Sequence, residues 1–396
     1  MSWVPKRLDE LGSVSRGRSR HRPRDAAHLY GGPHPFIQTG DVKHAGLYIT
    51  GFTQTYTEAG LQQSKLWPAG TLCITIAANI ADTAILGIDA CFPDSVIGFI
   101  ADPTQSDARF VKYLFDATIK VRAQQFSQGA TQDNLSQEKL LSLDFDVPTV
   151  AEQTRIADIL STYDDLIENN RRRMALLEES ARLLYREWFV RLRFPGYEHT
   201  PIVDGVPQGW ERKTLGDLCS EIRDMVLPEA LEPDTPYIGL EHIPRRSISL
   251  NEWGTVEEVT SSKCRFKAGE IIFGKIRPYF HKVGVAFVDG VASSDSIVVR
   301  PAADTLHGLV LMTMSSDVFV AVTAQQMKEG SKMPRADWKQ MKACPVPLPP
   351  SGLLSNFDGV IQPIVEQLKS ISLANQKLRT ARDLLLPRLM SGELAV

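Results

Sequence analysis

Tyr163-Asp-Asp-Leu-Ile167-Glu-Asn-Asn170-Arg-Arg-Arg-Met174-Ala-Leu-Leu177-Glu-Glu-Ser-Ala181-Arg-Leu-Leu184-Tyr-Arg-Glu-Trp188 steps between its apolar positions by four residues and three in strict alternation, with Asn170 as the one polar member. An α-helix turns once every ~3.6 residues, so these positions share one narrow face and the stretch predicts a long helix. Thr149 and Glu152 have the spacing of a capping box at its start, and Phe194-Pro195-Gly196 ends it. A second run repeats the pattern through Ile361, Ile364, Leu368, Ile371, Asn375, Leu378, Arg382, Leu385 and Leu389, ending at Ser391-Gly392. A long helix with one apolar stripe needs a partner, and each run offers the other. The expectation is an intramolecular, antiparallel coiled coil whose polar positions, Asn170 and Asn375, fix register at some cost in stability.

The sequence preceding each run is also repeated. Trp3-Val-Pro-Lys-Arg-Leu8-Asp-Glu-Leu11 is echoed by Trp210-Glu-Arg-Lys-Thr-Leu215-Gly-Asp-Leu218, and Pro35-Phe-Ile37 by Pro236-Tyr-Ile238. Trp67-Pro-Ala-Gly70 then matches Phe266-Lys-Ala-Gly269, Asp94-Ser-Val96 matches Asp295-Ser-Ile297, and Gln128-Gly129 matches Glu329-Gly330, all in the same order. Such a period is far beyond the ~20–50 residues of a solenoid unit, so the repeated object is a whole domain plus a helix. Within each copy, short apolar or alternating runs (71–76, 95–100, 270–273, 296–299) are punctuated by Gly, Pro, Asn and Asp, the pattern of short strands. One helix is expected over 108–125, with a counterpart over 306–327. The fold class is therefore α+β, with globular domains at 1–148 and 195–349 and helical segments at 149–194 and 350–396, related by an internal pseudo-twofold repeat.

Composition limits the function. The chain of 396 residues has no apolar run near the ~20 needed to span a bilayer, and its N-terminus leads into polar sequence, so a cytoplasmic protein is expected. The cysteines Cys73, Cys91, Cys219, Cys264 and Cys344 are scattered and form no C-x-x-C pair, which predicts buried thiols rather than disulfides or a zinc site. A net charge of −3 means that any surface for nucleic acid must be local. Arg16-Gly-Arg-Ser-Arg-His-Arg-Pro-Arg24 is the strongest candidate, with a solvated loop as the competing reading.

Two globular domains alternating with two coiled-coil helices resemble the specificity subunit of type I restriction-modification systems. The wording at the first junction is similar to that family's: Gly129-Ala-Thr-Gln132, Asn134-Leu-Ser136, then Leu143-Asp-Phe-Asp-Val-Pro148 and Glu152-Gln153-Thr-Arg-Ile156. So is the ending, Leu385-Leu386-Pro387-Arg388-Leu389-Met390-Ser391-Gly392-Glu393-Leu394. The second junction departs, with Gly330-Ser-Lys332-Met-Pro334 and Pro350-Ser351-Gly352. The resemblance implies that each globular part is a target recognition domain reading one half of a split site in double-stranded DNA. It implies that the helices set the spacer and dock two methyltransferase subunits, with no membrane involved. S-adenosylmethionine would belong to those partners, ATP and Mg to an added restriction subunit, and no cofactor to this chain.

Catalytic motifs are missing: there is no [DNS]-P-P-[YFW] tetrapeptide for a flipped base, no phosphate loop, no H-E-x-x-H and no G-x-S-x-G. A non-catalytic subunit is expected, with no catalytic residues and no metal ligands. Two alternatives remain, a coiled-coil scaffold and the specificity subunit of a methylation-only system. Arg and Lys pair with guanine and phosphate, and Asn or Gln with adenine. On that basis the candidate contacts are Arg18, Arg20, Gln38, Thr39, Asn79, Thr131 and Gln132 in the first domain. In the second they are Lys275, Arg277 and Lys282, where Gly274-Lys-Ile-Arg-Pro-Tyr-Phe-His-Lys282 interleaves charge with aromatics, and then Lys332 and Arg335.

Overall fold

The computed structural model describes residues 3–77, 81–120, 136–325 and 333–396. The chain divides into two compact units: unit 1 is 1–169 with 376–396, and unit 2 is 170–375. Each unit therefore combines one globular part with half of each long helix.

Unit 1 carries β1 (Val4–Arg7), β2 (Gly12–Arg16), β3 (Tyr30–Phe36), β4 (Tyr48–Ile49), β5 (Gln54–Tyr56), β6 (Leu66–Trp67), β7 (Leu72–Thr75), β8 (Thr83–Leu86), β9 (Ala90–Cys91), β10 (Val96–Ala101) and β11 (Asp144–Val147). Its larger sheet has the order β2-β10-β7-β8-β4, its second sheet β5-β3-β9-β6, and β1 pairs with β11. Unit 2 carries β12 (Ile202–Val203), β13 (Val206–Pro207), β14 (Glu211–Thr214), β15 (Cys219–Ile222), β16 (Met225–Val226), β17 (Pro236–Ile238), β18 (Ser249–Leu250), β19 (Gly254–Thr255), β20 (Lys263–Phe266), β21 (Ile271–Gly274), β22 (Val283–Ala286), β23 (Gly290–Ala292), β24 (Ser296–Pro301) and β25 (Pro345–Leu348). Its sheets run β15-β24-β21-β22-β18 and β19-β17-β23-β20-β16, and β14 pairs with β25. Apart from the added edge strand β16 and the small hairpin β12-β13, this is the topology of unit 1, down to the one parallel pair in each larger sheet (β4 with β8, β18 with β22).

The repeated residues are the ones that hold this topology. Gly70 and Gly269 sit at φ of +88° and +90°, a left-handed conformation that favours glycine. Gly70 N–H donates to the Leu86 carbonyl and Gly269 N–H to that of Ala286, both at 2.8 Å. Beside them, Ala69 and Ala268 donate their N–H groups to the carboxylates of Asp89 and Asp289, again both at 2.8 Å. β7 and β21 are buried along their whole length, which explains apolar runs that do not alternate. In unit 1, Trp67 stacks on Phe92 at 4.8 Å and lies over Gly98, where a Cβ would come within 2.5 Å of the indole.

The first long helix, Val150–Tyr185, continues as a π-helical turn over Arg186–Val190, and the second spans Ser351–Met390. The Thr149–Glu152 capping box forms: Thr149 N–H reaches the Glu152 carboxylate at 3.2 Å, and Glu152 N–H reaches the Thr149 hydroxyl at 3.4 Å. Pro363 and Pro387 lie inside the second helix, whose hydrogen-bond ladder skips a rung at each because proline has no N–H. In unit 1, Ile156, Ala157 and Leu160 share a core with Leu389 and Met390. Asp164, further along the first helix, meets Arg382, which lies earlier on the second. In unit 2 the same reversal places Asn170 against Asn375 and Trp188 against Phe357 (ring centroids 5.7 Å apart). The pairing is antiparallel within each unit, and every stripe residue is buried or half-buried.

Three expectations need correction. The helix foreseen over 306–327 is two, His307–Met314 and Asp317–Gln325, because the Ser316 hydroxyl accepts from Phe319 N–H at 3.2 Å and starts the second one. The helix foreseen over 108–125 is interrupted at Thr118, whose hydroxyl turns back onto the Leu114 carbonyl; 119–120 are helical again, and 121–125 lie outside the described residues. Four cysteines are buried, but Cys344 is only half-buried.

Within unit 2 the Asn170 amide donates to the Asn375 carbonyl oxygen at 2.8 Å, and Asn375 is 4% exposed. Replacing Asn375 by Leu leaves the Asn170 amide unpaired in the seam and should destabilise the chain by about 1–2 kcal/mol in denaturant unfolding. The double variant Asn170→Leu/Asn375→Leu should recover that loss and exceed the parent, at the expense of unique register.

Candidate nucleic-acid interface

The central hairpin of each larger sheet ends in a loop at the same place. Thr75 N–H bonds the Asp82 carbonyl at 3.0 Å as Gly274 N–H bonds that of Lys282 at 2.8 Å. Ile76 N–H then reaches the Ser95 carbonyl at 3.0 Å, as Lys275 N–H reaches that of Asp295 at 2.7 Å. Ala81 and His281, the last residues of the two loops, are both left-handed, at φ +66° and +55°. The loop between Thr75 and Asp82 and the segment Lys275 to Lys282 thus occupy equivalent positions. Asn79, Thr131, Gln132 and Lys332 lie outside the described residues.

In unit 2 the loop is met by the segment that follows the second junction. Arg277 N–H donates to the Pro334 carbonyl at 2.9 Å, Ala336 N–H donates to that of Lys275 at 2.8 Å, and Ile276 bridges to Arg335. This brings Lys275, Arg277 and Arg335 together. Arg335 pairs with Asp295 at 3.2 Å and the Lys275 ammonium donates to the Ser294 carbonyl at 3.1 Å, while Arg277 is exposed. Lys282 is different: its ammonium turns inward onto the Leu240 carbonyl, and burial pushes its pKa down.

In unit 1 the basic run alternates in burial. Gly17 and Ser19 are buried while Arg16, Arg18 and Arg20 project outward. Arg24 grips the Asp94 carboxylate with bonds of 2.9 and 2.8 Å, and Arg16 bonds the Asp94 backbone carbonyl at 3.1 Å. Asp94 thus takes an arginine in unit 1 as Asp295 does in unit 2, although the strand register sets Ser95, one residue on, at the place of Asp295. Arg18 and Arg20 keep their guanidinium groups unpaired among the described residues, and only their backbones are anchored, to Phe92 and Gln63. Gln38 donates from its side chain to Gln54 at 2.6 Å, and Thr39 opens the short helix Thr39–His44, which packs on β7 and β8.

Sequence reasoning passed over Arg245 and Arg246. Arg246 is left-handed (φ +57°), donates its N–H to the His281 carbonyl at 2.9 Å and pairs with Asp317 at 2.8 Å. The Arg245 guanidinium lies 4.1 Å over the Phe280 ring. An arginine pair interrupting the apolar run 243–250 was the available signal. Among the described residues no group of three or more His, Cys, Asp or Glu side chains is placed to hold a metal ion, and no single helix is long and apolar enough to cross a membrane. The exposed groups of the unit 2 loop, Arg277 and Tyr279, offer hydrogen-bond donors and an aromatic face.

The sequence profile of the type I restriction modification DNA specificity domain matches residues 1–179. The chain is 24% identical over 419 aligned residues to the type I restriction enzyme MjaIX specificity subunit of Methanocaldococcus jannaschii, covering all of this chain and 94% of the relative. It is 23% identical to the EcoDI specificity subunit of Escherichia coli, over 73% of this chain and 70% of that one. Its fold is similar to the crystal structure of a type I restriction-modification S subunit from M. genitalium, with a TM-score of 0.61 at 15% identity over 98% and 96% of the two chains.

His281 ties the unit 2 loop to the helix break described above. Its Nε2 donates to the Ser315 carbonyl at 2.8 Å and its Nδ1 lies 3.5 Å from the Asp317 carboxylate. Burial, the largest influence, together with the charges of Arg246 and Arg182, holds the imidazole below its ordinary value of 6.5, against the pull of the Ser315 carbonyl and Asp317. The unfolded chain therefore takes up this proton first. The stability that the neutral ring contributes is present above 6.5 and is lost as pH falls below it. Asparagine tolerates the left-handed backbone and keeps an N–H donor. His281→Asn should therefore flatten the decline in unfolding free energy between roughly pH 7 and pH 5, measured against the parent.

Proposed function

We propose that this chain, which is similar to the specificity subunits of type I restriction-modification systems, is such a subunit and that its two units each read one half of a split site in double-stranded DNA for methyltransferase partners. The observation that carries this reading is the duplication of the sheet framework with different exposed cations on its two copies. One topology, built twice, carries its exposed cations at different points of the two copies, Arg18 and Arg20 after β2 in unit 1 and Arg277 on the hairpin loop in unit 2. That is what reading two unlike half-sites requires.

The long helices supply the rest of the function. Leu176, Leu183 and Val190 are 70%, 40% and 51% exposed and recur every seven residues on the first helix, away from its buried stripe. Such a line suits a second set of helices, and we assign it to the docking of two methyltransferase subunits. S-adenosylmethionine acts in those subunits, ATP and Mg act in a restriction subunit where the system has one, and this chain performs no chemistry. Spacing between the half-sites is set by the helices.

The deciding experiment maps methylated bases across the genome of a methylation-free host expressing this chain with its methyltransferase subunit, against the methyltransferase subunit alone. A split motif that depends on this chain supports the reading. An assembled complex that marks no motif would shift the balance to a scaffold. Two further outcomes are expected. Arg18→Ala/Arg20→Ala should weaken DNA binding and lower the slope of log affinity against log salt by up to about 2. Four residues inserted beside Asn170 add roughly 6 Å of helix, close to two base-pair steps of ~3.4 Å, and should lengthen the spacer while leaving both half-sites unchanged.

A further inference from the structure

We infer that Arg245, Arg277 and Tyr279 form the tip with which unit 2 touches its half-site, and that Glu178, on the first long helix, is the positioning residue that holds this tip in shape. The inference rests on the DNA-reading function proposed above and gives it specific side chains.

Strain in the backbone marks the place. Arg246, Arg277 and His281 are all left-handed, at φ +57°, +49° and +55°, where glycine would cost less. Non-glycine residues held there by surrounding structure point to a need for their side chains or for the loop shape that they impose. Each is held by its own backbone bond: Arg246 to the His281 carbonyl (2.9 Å), Arg277 to Pro334 (2.9 Å) and His281 to Pro278 (2.8 Å). Pro278 is buried beneath the loop, and Tyr279 stands above it, 53% exposed.

The side chains at the tip are free to act on a ligand. The Phe280 ring lies 5.0 Å from that of Tyr279, with the Arg245 guanidinium 4.1 Å and the Arg277 guanidinium 5.9 Å from the Phe280 centroid. That cation–π contact orients both arginines while leaving their N–H groups unused, for among the described residues neither has a hydrogen-bond acceptor. Two oriented, unpaired guanidinium forks beside an exposed tyrosine match what a DNA groove offers: paired acceptors on guanine, phosphate oxygens, and flat sugar and base surfaces. Arg246, in contrast, is engaged with Asp317, and Lys282 with Leu240.

Glu178 anchors the segment that carries Arg245. Its carboxylate is 5% exposed and accepts from the Ser247 hydroxyl (2.7 Å), the Ser249 hydroxyl (2.6 Å) and the Ser249 N–H (3.2 Å). One turn further on, Arg182 lies 3.5 Å from that carboxylate and donates to the Arg246 carbonyl at 2.8 Å. A buried carboxylate satisfied mainly by one loop is an expensive device unless the loop's position matters.

The test uses the full chain with its methyltransferase subunits in the methylation-free host. Arg245→Ala, Arg277→Ala and Tyr279→Ala should each relax the same half-site, by about 10-fold or more at one or more base positions, and leave the other half-site intact. Glu178→Ala should relax that same half-site in a complex that still assembles. Glu178→Gln, which keeps an oxygen for the serine hydroxyls, should restore most of the discrimination. If the three tip variants mark the parental motif at the parental level, the tip assignment is wrong while the two-headed reading stands. If the parent marks no split motif, that reading itself fails. Equal loss at both half-sites in Glu178→Ala, without rescue by Gln, would reduce Glu178 to a structural role.

Discussion

Asn170 and Asn375 meet through a single amide hydrogen bond in a seam whose other members are apolar or aliphatic-stemmed, and this bond makes the seam specific. An all-apolar seam of regular spacing could slide by a heptad at little cost. A slip here would place each amide against an apolar side chain with no partner, a penalty of about 1–3 kcal/mol for each buried group. Register then decides everything attached to the helices. In unit 1 it brings Asp164 to Arg382 and to the Tyr113 hydroxyl at 2.6 Å, an arrangement that works only when all three arrive together because Asp164 is buried. In unit 2 it brings Phe357 under Trp188 and Phe189, which in turn packs on Trp210 at the start of the second globular part.

The duplicated fold separates what must stay from what can change. Glycines with left-handed backbone, the aspartates that receive the adjacent N–H groups, and the buried central strands recur at matching positions, because the sheet order cannot be built without them. The surface that they support does not recur. The first copy carries its arginine run immediately after β2, whereas after β15 the second copy has Arg223-Asp-Met-Val-Leu-Pro-Glu and builds the extra strand β16 there. The second copy concentrates its cations on the hairpin loop and the neighbouring 245–246 turn instead. Two surfaces of different chemistry on one framework are suited to two unlike targets.

Much of this framework was legible because it is written in local periodicity and in residues with narrow conformational roles. The stripe from Tyr163 to Trp188 needs no tertiary knowledge to read, and collinear marks such as Trp67-Pro-Ala-Gly70 and Phe266-Lys-Ala-Gly269 proved to be the same turn. The break at Ser315-Ser316 was not legible, since both flanking helices are apolar on nearly every side and periodicity does not register a cap within such a run. Nor could spacing tell that Lys282 turns inward while Arg277, five residues earlier, stays out. That difference arises from Leu240, which is far away in sequence. The importance of Arg245 and Arg246 was hidden for the same reason, as it depends on His281, Phe280 and Glu178 meeting in space.

A chain with a net charge of −3 can bind a polyanion only if its cations are sorted by task. Arg382, Arg24, Arg246 and Arg335 are committed to carboxylates of the chain itself, which offset their charge and so reduce what they add to an external field. Arg18, Arg20, Arg245 and Arg277 remain uncommitted at exposed points of the two loop systems. Such sorting limits the non-specific attraction that an overall basic protein has for any duplex, because the long-range field is weak and screened within ~10 Å at 0.1 M salt. Affinity must then come from close fit at a few positions. Discrimination between sequences, more than grip on the backbone, is the property that this distribution of charge favours.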